Sequence, residues 1–200
     1  PARVTLVSSS GCVEMAEKPR QALNEKPDCS IITAARLVAS GEADALVSAG
    51  HTGATILAAA DIIPKMPGIR RTALASVYPT EQRHGPKGDP FALMLDVGAT
   101  LSATAEDLVG FAVMGAAYSS IVSEITQPRI ALLSNGTEPN KGTAAIVEAH
   151  KRLLQSPLAF AGNIEGLDIP RGTVDVVVCD GFLGNVVLKM LEGVSDVVRD

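Results

Sequence analysis

Four turns in this sequence combine glycines with polar or charged side chains, a pattern that could bind an anionic substrate. The first turn, residues 48–54 (SAGHTGA), runs from a predicted strand into a predicted helix. Free backbone N–H groups and the helix dipole favour an anion at such a point. The candidate ligands are Gly50, His51, Thr52 and Gly53. The turn lacks the lysine of a P-loop, and a tight turn that needs glycine for a positive φ explains it equally well.

Two further turns place a carboxylate or an ammonium group beside glycines. Residues 95–100 (LDVGAT) leave Asp96 at a strand end, where Gly98 would let a ligand approach closely, and a helix cap is the alternative. Residues 134–142 (SNGTEPNKG) carry Glu138 and Lys141 between a predicted strand and a predicted helix. Lys141 could bind a phosphate as a point charge, although loop lysines are usually solvated.

The fourth turn, residues 179–185 (CDGFLGN), follows the most apolar segment and opens the last predicted helix. A carboxylate such as Asp180 at the end of a buried strand destabilises the fold unless it has a hydrogen-bonding or charged partner. Asp180 therefore either binds a ligand or caps the helix. Gly181 follows it, and Asn185 lies one turn further on, facing the same crevice. Cys179 has no neighbouring His or basic pair to lower its pKa, so it is interpreted as a buried apolar side chain rather than a nucleophile.

Metal, cofactor and disulfide chemistry find little support in the residue spacing. The three histidines stand in separate segments, and the three cysteines, Cys12, Cys29 and Cys179, are widely spread. No metal-ligand spacing connects them, and their odd number predicts reduced thiols. The loop over residues 81–87 carries basic groups that are either a solvated face or a contact for an acidic partner.

The composition is that of a globular enzyme or binding domain with a substantial core. Of 200 residues, 46% are hydrophobic and 20% charged, and the net charge is -5. An acidic chain with few aromatic residues is not expected to bind nucleic acid. Apolar runs are interrupted before the roughly 18 residues that a membrane span needs. We expect residues 1–200 to form a single α/β domain, and the ends of the sequence suggest that N- and C-terminal portions of a longer chain are missing.

Short β-rich runs alternate with amphipathic or Ala-rich segments, which predicts a layered α/β sandwich with a mostly parallel sheet. Residues 72–77 and 91–97 are predicted to pair as a hairpin around a polar loop over residues 79–90, because too few residues separate them for a crossover helix. Residues 174–179 are nearly all apolar, so they are predicted at the sheet centre. The other predicted strands are residues 4–7, 45–48, 129–133 and 159–163. The predicted helices are residues 31–39, 52–63, 104–121, 142–154 and 181–198. Gly41 is predicted to end the first of these helices, and Thr104, with Asp107 three residues on, is predicted as the N-cap of the third.

Taken in order, these turns resemble the bacterial acyl-carrier-protein:phosphate acyltransferase family of phospholipid synthesis. The resembling blocks are residues 14–23, 48–54, 95–99, 163–170 and 177–185, so the similarity spans nearly the whole chain. Two positions and one segment depart from the family pattern: His51 and Thr100 each stand where asparagine is usual, and residues 134–139 differ from the usual run.

The resemblance implies a fold like that of phosphotransacetylases and isocitrate dehydrogenases, working as a homodimer. It implies that inorganic phosphate attacks the thioester of a long-chain acyl-carrier protein and yields an acyl phosphate, with no cofactor and no metal. Lys141 and Asn185 would be the central catalytic pair. Backbone donors would come from the turn at 50–53 and from Gly181, while Asp96, Glu138 and Asp180 would orient partners or cap helices. A cytoplasmic location is implied, with peripheral contact at the inner membrane face through parts outside these residues.

Two other functions stay open at the level of sequence. One is a phosphotransacetylase-like acyltransferase that uses coenzyme A, which would need a site for the adenosine phosphates. The other is a noncatalytic binding module that kept the fold while losing the chemistry, as the changes at His51 and Thr100 allow.

Overall fold

A computed structural model describes residues 3–199, which form two compact units that divide between Ile69 and Arg70. The first unit contains helices α1 (Pro19–Glu25), α2 (Ser30–Ser40) and α3 (Thr52–Ile62). The second unit contains β1 (Ala75–His84), β2 (Asp89–Leu95), α4 (Ala105–Val122), β3 (Ile130–Leu133), α5 (Ala144–Leu154), β4 (Phe160–Ile164), α6 (Asp168–Arg171), β5 (Val176–Val178) and α7 (Gly181–Arg199). The expectation of one domain over the whole chain stays a prediction.

The second unit is built on a five-stranded sheet in the order β1-β2-β5-β3-β4. The pairs β2–β5, β5–β3 and β3–β4 are parallel, whereas β1 and β2 form an antiparallel hairpin. The central strand is β5, and all three of its valines are fully buried. A mostly parallel sheet with the 174–179 segment at its centre is therefore confirmed, because only a strand covered on both faces can be apolar throughout.

Helices cover both faces of this sheet. Successive side chains of a strand point to opposite faces, so Val176 and Val178 pack on one face with Leu108 and Phe111 of α4, whereas Val177 packs on the other. That other face is covered by α6 and α7, through Ile169, Leu183, Val187 and Leu191. The layered α/β sandwich predicted from the sequence is confirmed.

Helix α4 begins at a complete capping box. Thr104 Oγ1 accepts a hydrogen bond from the Asp107 amide, and the Asp107 carboxylate accepts one from the Thr104 amide at 2.9 Å. The predicted N-terminus is thus confirmed. At 18 residues and a mean hydropathy of 1.2, α4 is by length and composition the one candidate for a membrane span among the described residues. Its residues Leu108 and Phe111, however, lie in the core against the sheet.

The hairpin at the sheet edge is longer than predicted. Residues 79–90 are expected as a polar loop, but β1 continues to His84 and pairs with Asp89, so the loop is only residues 85–88. Alternating exposure along β1 shows why: an edge strand needs polar residues on its solvent face, and these resemble a loop in the sequence. Lys87 in this loop forms an ion pair with Glu124 at 2.8 Å.

Two predicted strands of the first unit are wrong. Within the described residues, positions 4–7 and 45–48 belong to no sheet. Leu6 and Val47 are 93% and 95% exposed, so these apolar segments have neither a neighbouring strand nor a covering layer. The first unit instead buries Leu23, Ile32 and Ala54 among its three helices. Helix α2 ends at Gly41 with φ +79°, as predicted.

A network around the buried Asp175 links His84, at the end of β1, to the start of β5. Asp175 Oδ1 lies 2.6 Å from His84 Nδ1, and Asp175 Oδ2 accepts from the Arg129 amide at 2.6 Å. His84 Nε2 in turn lies 2.9 Å from the Thr80 hydroxyl. Burial alone would raise the pKa of Asp175, but the hydrogen bonds from Arg129 and His84 outweigh it and hold that pKa below its usual value.

Replacement of Asp175 by asparagine is expected to destabilise the protein and to flatten its acid sensitivity. A carboxyl with a depressed pKa stabilises the fold above its unfolded-state pKa, and this contribution is lost as the pH falls through the folded-state pKa. Urea unfolding between pH 7 and pH 2 should show a loss of about 3 kcal/mol at pH 7, since one partner of a buried ion pair is neutralised. The free energy of unfolding of Asp175→Asn should then depend less on pH below about 4 than that of the unsubstituted protein. If the free energy of unfolding fell equally steeply with pH in both proteins below about pH 4, the depressed pKa of Asp175 would be contradicted.

Candidate functional site

The parallel strands β2, β5, β3 and β4 all end at one edge of the sheet, where α/β proteins bind their ligands. Three of the four turns singled out in the sequence follow these strands. They are residues 96–100 after β2, residues 134–143 after β3 and residues 179–180 after β5. The fold therefore brings three of the predicted turns to a common edge.

Asp96 holds the turn after β2 in place. Its side chain is fully buried, and Oδ1 accepts hydrogen bonds from the amides of Leu74, Gly98 and Ala99 at 3.0, 3.0 and 2.9 Å. Oδ2 is buried without a hydrogen-bond partner among the described residues. Such bonds fix the path of the backbone at the strand end, so the contacts of Asp96 support a positioning role.

The start of α7 packs directly against this turn. The Gly181 amide donates to Thr100 Oγ1 at 2.9 Å, and a Cβ built on Gly181 would lie 2.6 Å from Asp96 Oδ2. Asp180 Oδ1 accepts from the Leu183 amide at 2.9 Å and so caps the helix. These contacts support a helix-capping role for Asp180. Gly181 is needed for close packing, and its N–H already donates to an acceptor within the protein.

Cys179 lies beneath the same turn and is not available as a nucleophile. Burial raises the pKa of its thiol, and its Sγ lies 3.3 Å from the carbonyl oxygen of Asp96, to which it donates. Its interpretation as a buried apolar side chain is confirmed, since it is 1% exposed.

The loop after β3 presents Lys141 to solvent while its backbone is fixed from within. The Lys141 amide donates to the carbonyl oxygen of Glu138 at 3.0 Å, and both side chains are exposed. Gly136 lies beneath them, since a Cβ there would be 2.8 Å from Glu138 Oε2 and 2.9 Å from Lys141 Cγ. The exposed ammonium and the neighbouring carboxylate can therefore meet a ligand from solvent.

Asn163 and His150 hold this loop against the sheet, and sequence reasoning assigned neither of them to the site. Asn163 Nδ2 donates to the carbonyl oxygen of Glu138 at 2.9 Å, and Asn163 Oδ1 lies 2.9 Å from His150 Nδ1. The His150 ring contacts Phe160 edge-to-face, with the ring centroids 5.0 Å apart. Both polar residues are buried. The sequence does hold a signal for this contact, because Asn163 is a polar residue inside the predicted strand over 159–163 and His150 lies on the predicted helix before it.

Leucine in place of Asn163 is expected to release the loop that carries Lys141. The substitution leaves the buried His150 nitrogen and the Glu138 carbonyl without their amide partner, at a cost of about 2 kcal/mol in the free energy of unfolding. Amide hydrogen exchange should rise in residues 134–141 more than in β5. Asn140→Leu, at an exposed position of the same loop, is the matched control. Unchanged exchange in the loop would contradict this role for Asn163.

Asn185 lies on the opposite side of this edge, against the turn after β2. A Cβ built on Gly98 would be 3.8 Å from Asn185 Oδ1, and the Asn185 side chain is exposed. Lys141 belongs to the loop fixed to β4 through Asn163. Lys141, in the loop after β3, and Asn185, on α7, thus both lie at this edge of the sheet, and their joint action on one substrate stays a prediction.

A cavity of about 390 Å³ opens at this edge between α5, α7 and the loop after β3. Its apolar walls are Leu133, Ile146, Leu183 and Val187. Ser134, Asn135, Gly142, Thr143 and Gly166 complete the lining. Neither Lys141 nor Asn185 lines the cavity, but Gly142 adjoins Lys141 in sequence, and Leu183 and Val187 each lie two residues from Asn185.

The remaining predicted turn, residues 50–53, belongs to the first unit. His51 caps α3, with Nδ1 accepting from the Ala54 amide at 3.4 Å, and its Nε2 lies 3.2 Å from the carbonyl oxygen of Glu17. A Cβ on Gly53 would lie 3.2 Å from both Pro19 and His51, so a close approach explains this glycine. Anion binding by Gly50, His51, Thr52 and Gly53 stays a prediction.

Known proteins resemble this chain over most of its length. A family model described as "Fatty acid synthesis protein" matches residues 1–200. The chain belongs to this family. It is 45% identical over 196 residues to a protein named "Phosphate acyltransferase" from an Exiguobacterium species, covering 98% of this chain and 58% of that protein. A protein of the same name from Desulfitobacterium hafniense is 46% identical, with coverage of 98% and 56%. The chain thus spans somewhat more than half the length of these relatives.

The fold has a counterpart among solved structures. A phosphotransacetylase from Streptococcus pyogenes superposes with a TM-score of 0.61 over 88% of this chain and 58% of that chain, at 23% sequence identity. This similarity establishes the phosphotransacetylase-like α/β architecture that the sequence predicted.

Proposed function

We propose that the protein carrying this sequence transfers a fatty acyl group from acyl-carrier protein to inorganic phosphate. The observation that supports this most directly is the 45% identity, over 98% of this chain, to a protein named for phosphate acyltransfer. The matched region contains the turns after β2, β3 and β5 that meet at the sheet edge. Acyl-carrier protein and phosphate are then the substrates, and the product is an acyl phosphate for phospholipid synthesis.

The proposed reaction needs charge neutralisation and orientation more than a protein nucleophile. A phosphate oxygen forms a bond to the thioester carbonyl carbon, and the carbon–sulfur bond breaks, so that the carrier thiolate leaves and takes up a proton. Because phosphate is itself the nucleophile, the site must screen its charge and hold it about 3 to 3.5 Å from the carbonyl carbon. It must also stabilise the oxyanion that develops.

Two exposed side chains at the sheet edge suit these tasks. Lys141 supplies the positive charge that phosphate requires, and its loop is held by Asn163. Asn185 supplies an amide donor for the thioester oxygen, at the turn that Asp96 fixes. Asp96 and Asp180 hold the neighbouring backbone through its amides, and Glu138 orients the groups around Lys141. A homodimer, a cytoplasmic location and peripheral contact with the membrane belong to the same proposal.

Hydroxylamine trapping of the product separates this function from its alternatives. The protein is incubated with palmitoyl-carrier protein, with and without phosphate, and acyl hydroxamate is measured. Phosphate-dependent hydroxamate supports the proposal. Product from acetyl-coenzyme A but not from the carrier would instead select a phosphotransacetylase-like enzyme. If neither donor gave product, the enzymatic proposal would be overturned, and the noncatalytic binding module would remain as the alternative.

A further inference from the structure

The cavity between α5 and α7 has the chemistry of a hydrocarbon site. No ionisable side chain is among its lining residues, and its walls are Leu133, Ile146, Leu183 and Val187. Two polar side chains of its lining already have partners within the protein: Ser134 Oγ donates to Asn135 Oδ1 at 3.4 Å, and Thr143 Oγ1 accepts from the Ile146 amide. A phosphate or a carrier carboxylate would find no compensating charge there, whereas an alkyl chain would lose only its contact with water.

The size and position of the cavity suit one part of the proposed substrate. A volume of about 390 Å³ lies within the range of small-molecule pockets. The cavity adjoins the loop that ends at Lys141, since Gly142 forms part of its lining. On α7, Leu183 and Val187 are one turn apart and face the cavity, while Asn185 between them lies against Gly98. The apolar walls are therefore next to the groups proposed to act on phosphate and on the thioester.

We propose that this cavity binds the alkyl chain of the acyl donor, and that Val187 and Leu183 determine how strongly long chains are preferred over short ones. This inference rests on the proposed function for its choice of occupant. Each methylene buried is worth about fourfold in affinity. A cavity that accepts several methylenes therefore separates a long-chain donor from a short-chain donor by a large factor, without any charged contact.

Substitutions on neighbouring positions of α7 test this selectivity. Val187→Phe places a ring in the cavity, whereas Val186→Phe places the same ring at a position that is 48% exposed and outside the lining. For Val187→Phe, kcat/KM with palmitoyl-carrier protein should fall by more than about tenfold, while the value with butyryl-carrier protein changes by less than about threefold. Val186→Phe should keep both values. An unchanged ratio of the two donors in Val187→Phe overturns the inference.

A second pair of variants covers the case in which the ring prevents folding. Val187→Thr keeps the side-chain shape but places a hydroxyl in the wall, and it should lower palmitoyl use by about threefold or more relative to Val186→Thr. Equal palmitoyl use in the two threonine variants counts against the cavity.

Binding of cis-parinaric acid, followed by its fluorescence, distinguishes failure of this inference from failure of the proposed function. If the protein transfers no acyl group but binds the probe, and Val187→Thr weakens binding while Val186→Thr does not, the enzymatic proposal fails and the hydrocarbon site stands. If transfer occurs but neither donor preference nor probe binding responds at Val187, the hydrocarbon site fails and the enzymatic proposal stands. Absence of probe binding in the unsubstituted protein, as when another protein segment fills the cavity, overturns the hydrocarbon site.

Discussion

Alanine in place of Lys141 is expected to lower the rate of acyl transfer to phosphate by about 100-fold or more. The side chain is exposed at the sheet edge, and its backbone is held by the carbonyl oxygen of Glu138, which Asn163 fixes in turn. Removal of the ammonium group leaves the approaching phosphate unscreened, so both the KM for phosphate and the chemical step should suffer. Steady-state kinetics with varied phosphate and fixed palmitoyl-carrier protein measure the effect.

Lys189→Ala is the matched control for this experiment. Lys189 is also exposed and lies on α7, where it pairs with Glu192 at 2.8 Å and takes no part in the proposed site. Its removal should leave turnover within about twofold, since exposed ion pairs contribute little. Lys141→Ala should unfold at the same urea concentration as the unsubstituted protein, because its side chain is not part of the core. Turnover near that of the unsubstituted protein in Lys141→Ala would refute the role assigned to this residue.

Alanine in place of Gly184 is expected to destabilise the fold by more than about 4 kcal/mol, which is outside the usual range for a single substitution. A Cβ at this position would overlap the carbonyl oxygen of Asp96 and lie 2.9 Å from Cys179 Sγ. Both groups belong to segments fixed in the sheet, because the Asp96 amide donates to the carbonyl oxygen of Cys179 at 3.0 Å. Helix α7 would have to move away from the sheet edge.

Gly193→Ala on the same helix separates this steric effect from helix propensity. A Cβ at Gly193 meets no atom within 4 Å. Alanine there should therefore stabilise the helix by about 0.5 to 1 kcal/mol. Urea unfolding of the two variants gives the comparison. A Gly184→Ala protein as stable as the Gly193→Ala protein would show that α7 does not pack against Asp96 as described.

The elements that sequence patterns predicted correctly are those whose signal is local. The apolar run before Cys179 indicated a strand covered on both faces, and β5 is central. The spacing of Thr104 and Asp107 indicated the start of α4, because a capping box needs only neighbouring residues. Gly41 marked the end of α2 through its left-handed conformation.

The predictions that failed are those that depend on a distant partner. Residues 4–7 and 45–48 have the composition of strands, but a strand also needs a neighbour to hydrogen-bond, and no described residue supplies one. Conversely, the polar second half of β1 resembles a loop in the sequence and becomes a strand because β2 pairs with it as far as Asp89. The short helices α1 and α6 were not predicted, since seven and four residues carry too little periodicity.

For the candidate site, the sequence by itself determined which chemical groups stand at strand ends: the ammonium of Lys141, the amide of Asn185 and the carboxylates of Asp96 and Asp180. It could do so because turn residues and the apolar runs before them are read locally. Tertiary structure decided what each group does. Asp96 is enclosed by three backbone amides, and Asn163 reaches Glu138 across 25 positions. Such contacts depend on how strands and helices pack, because burial and hydrogen-bond partners are set by residues far apart in the chain.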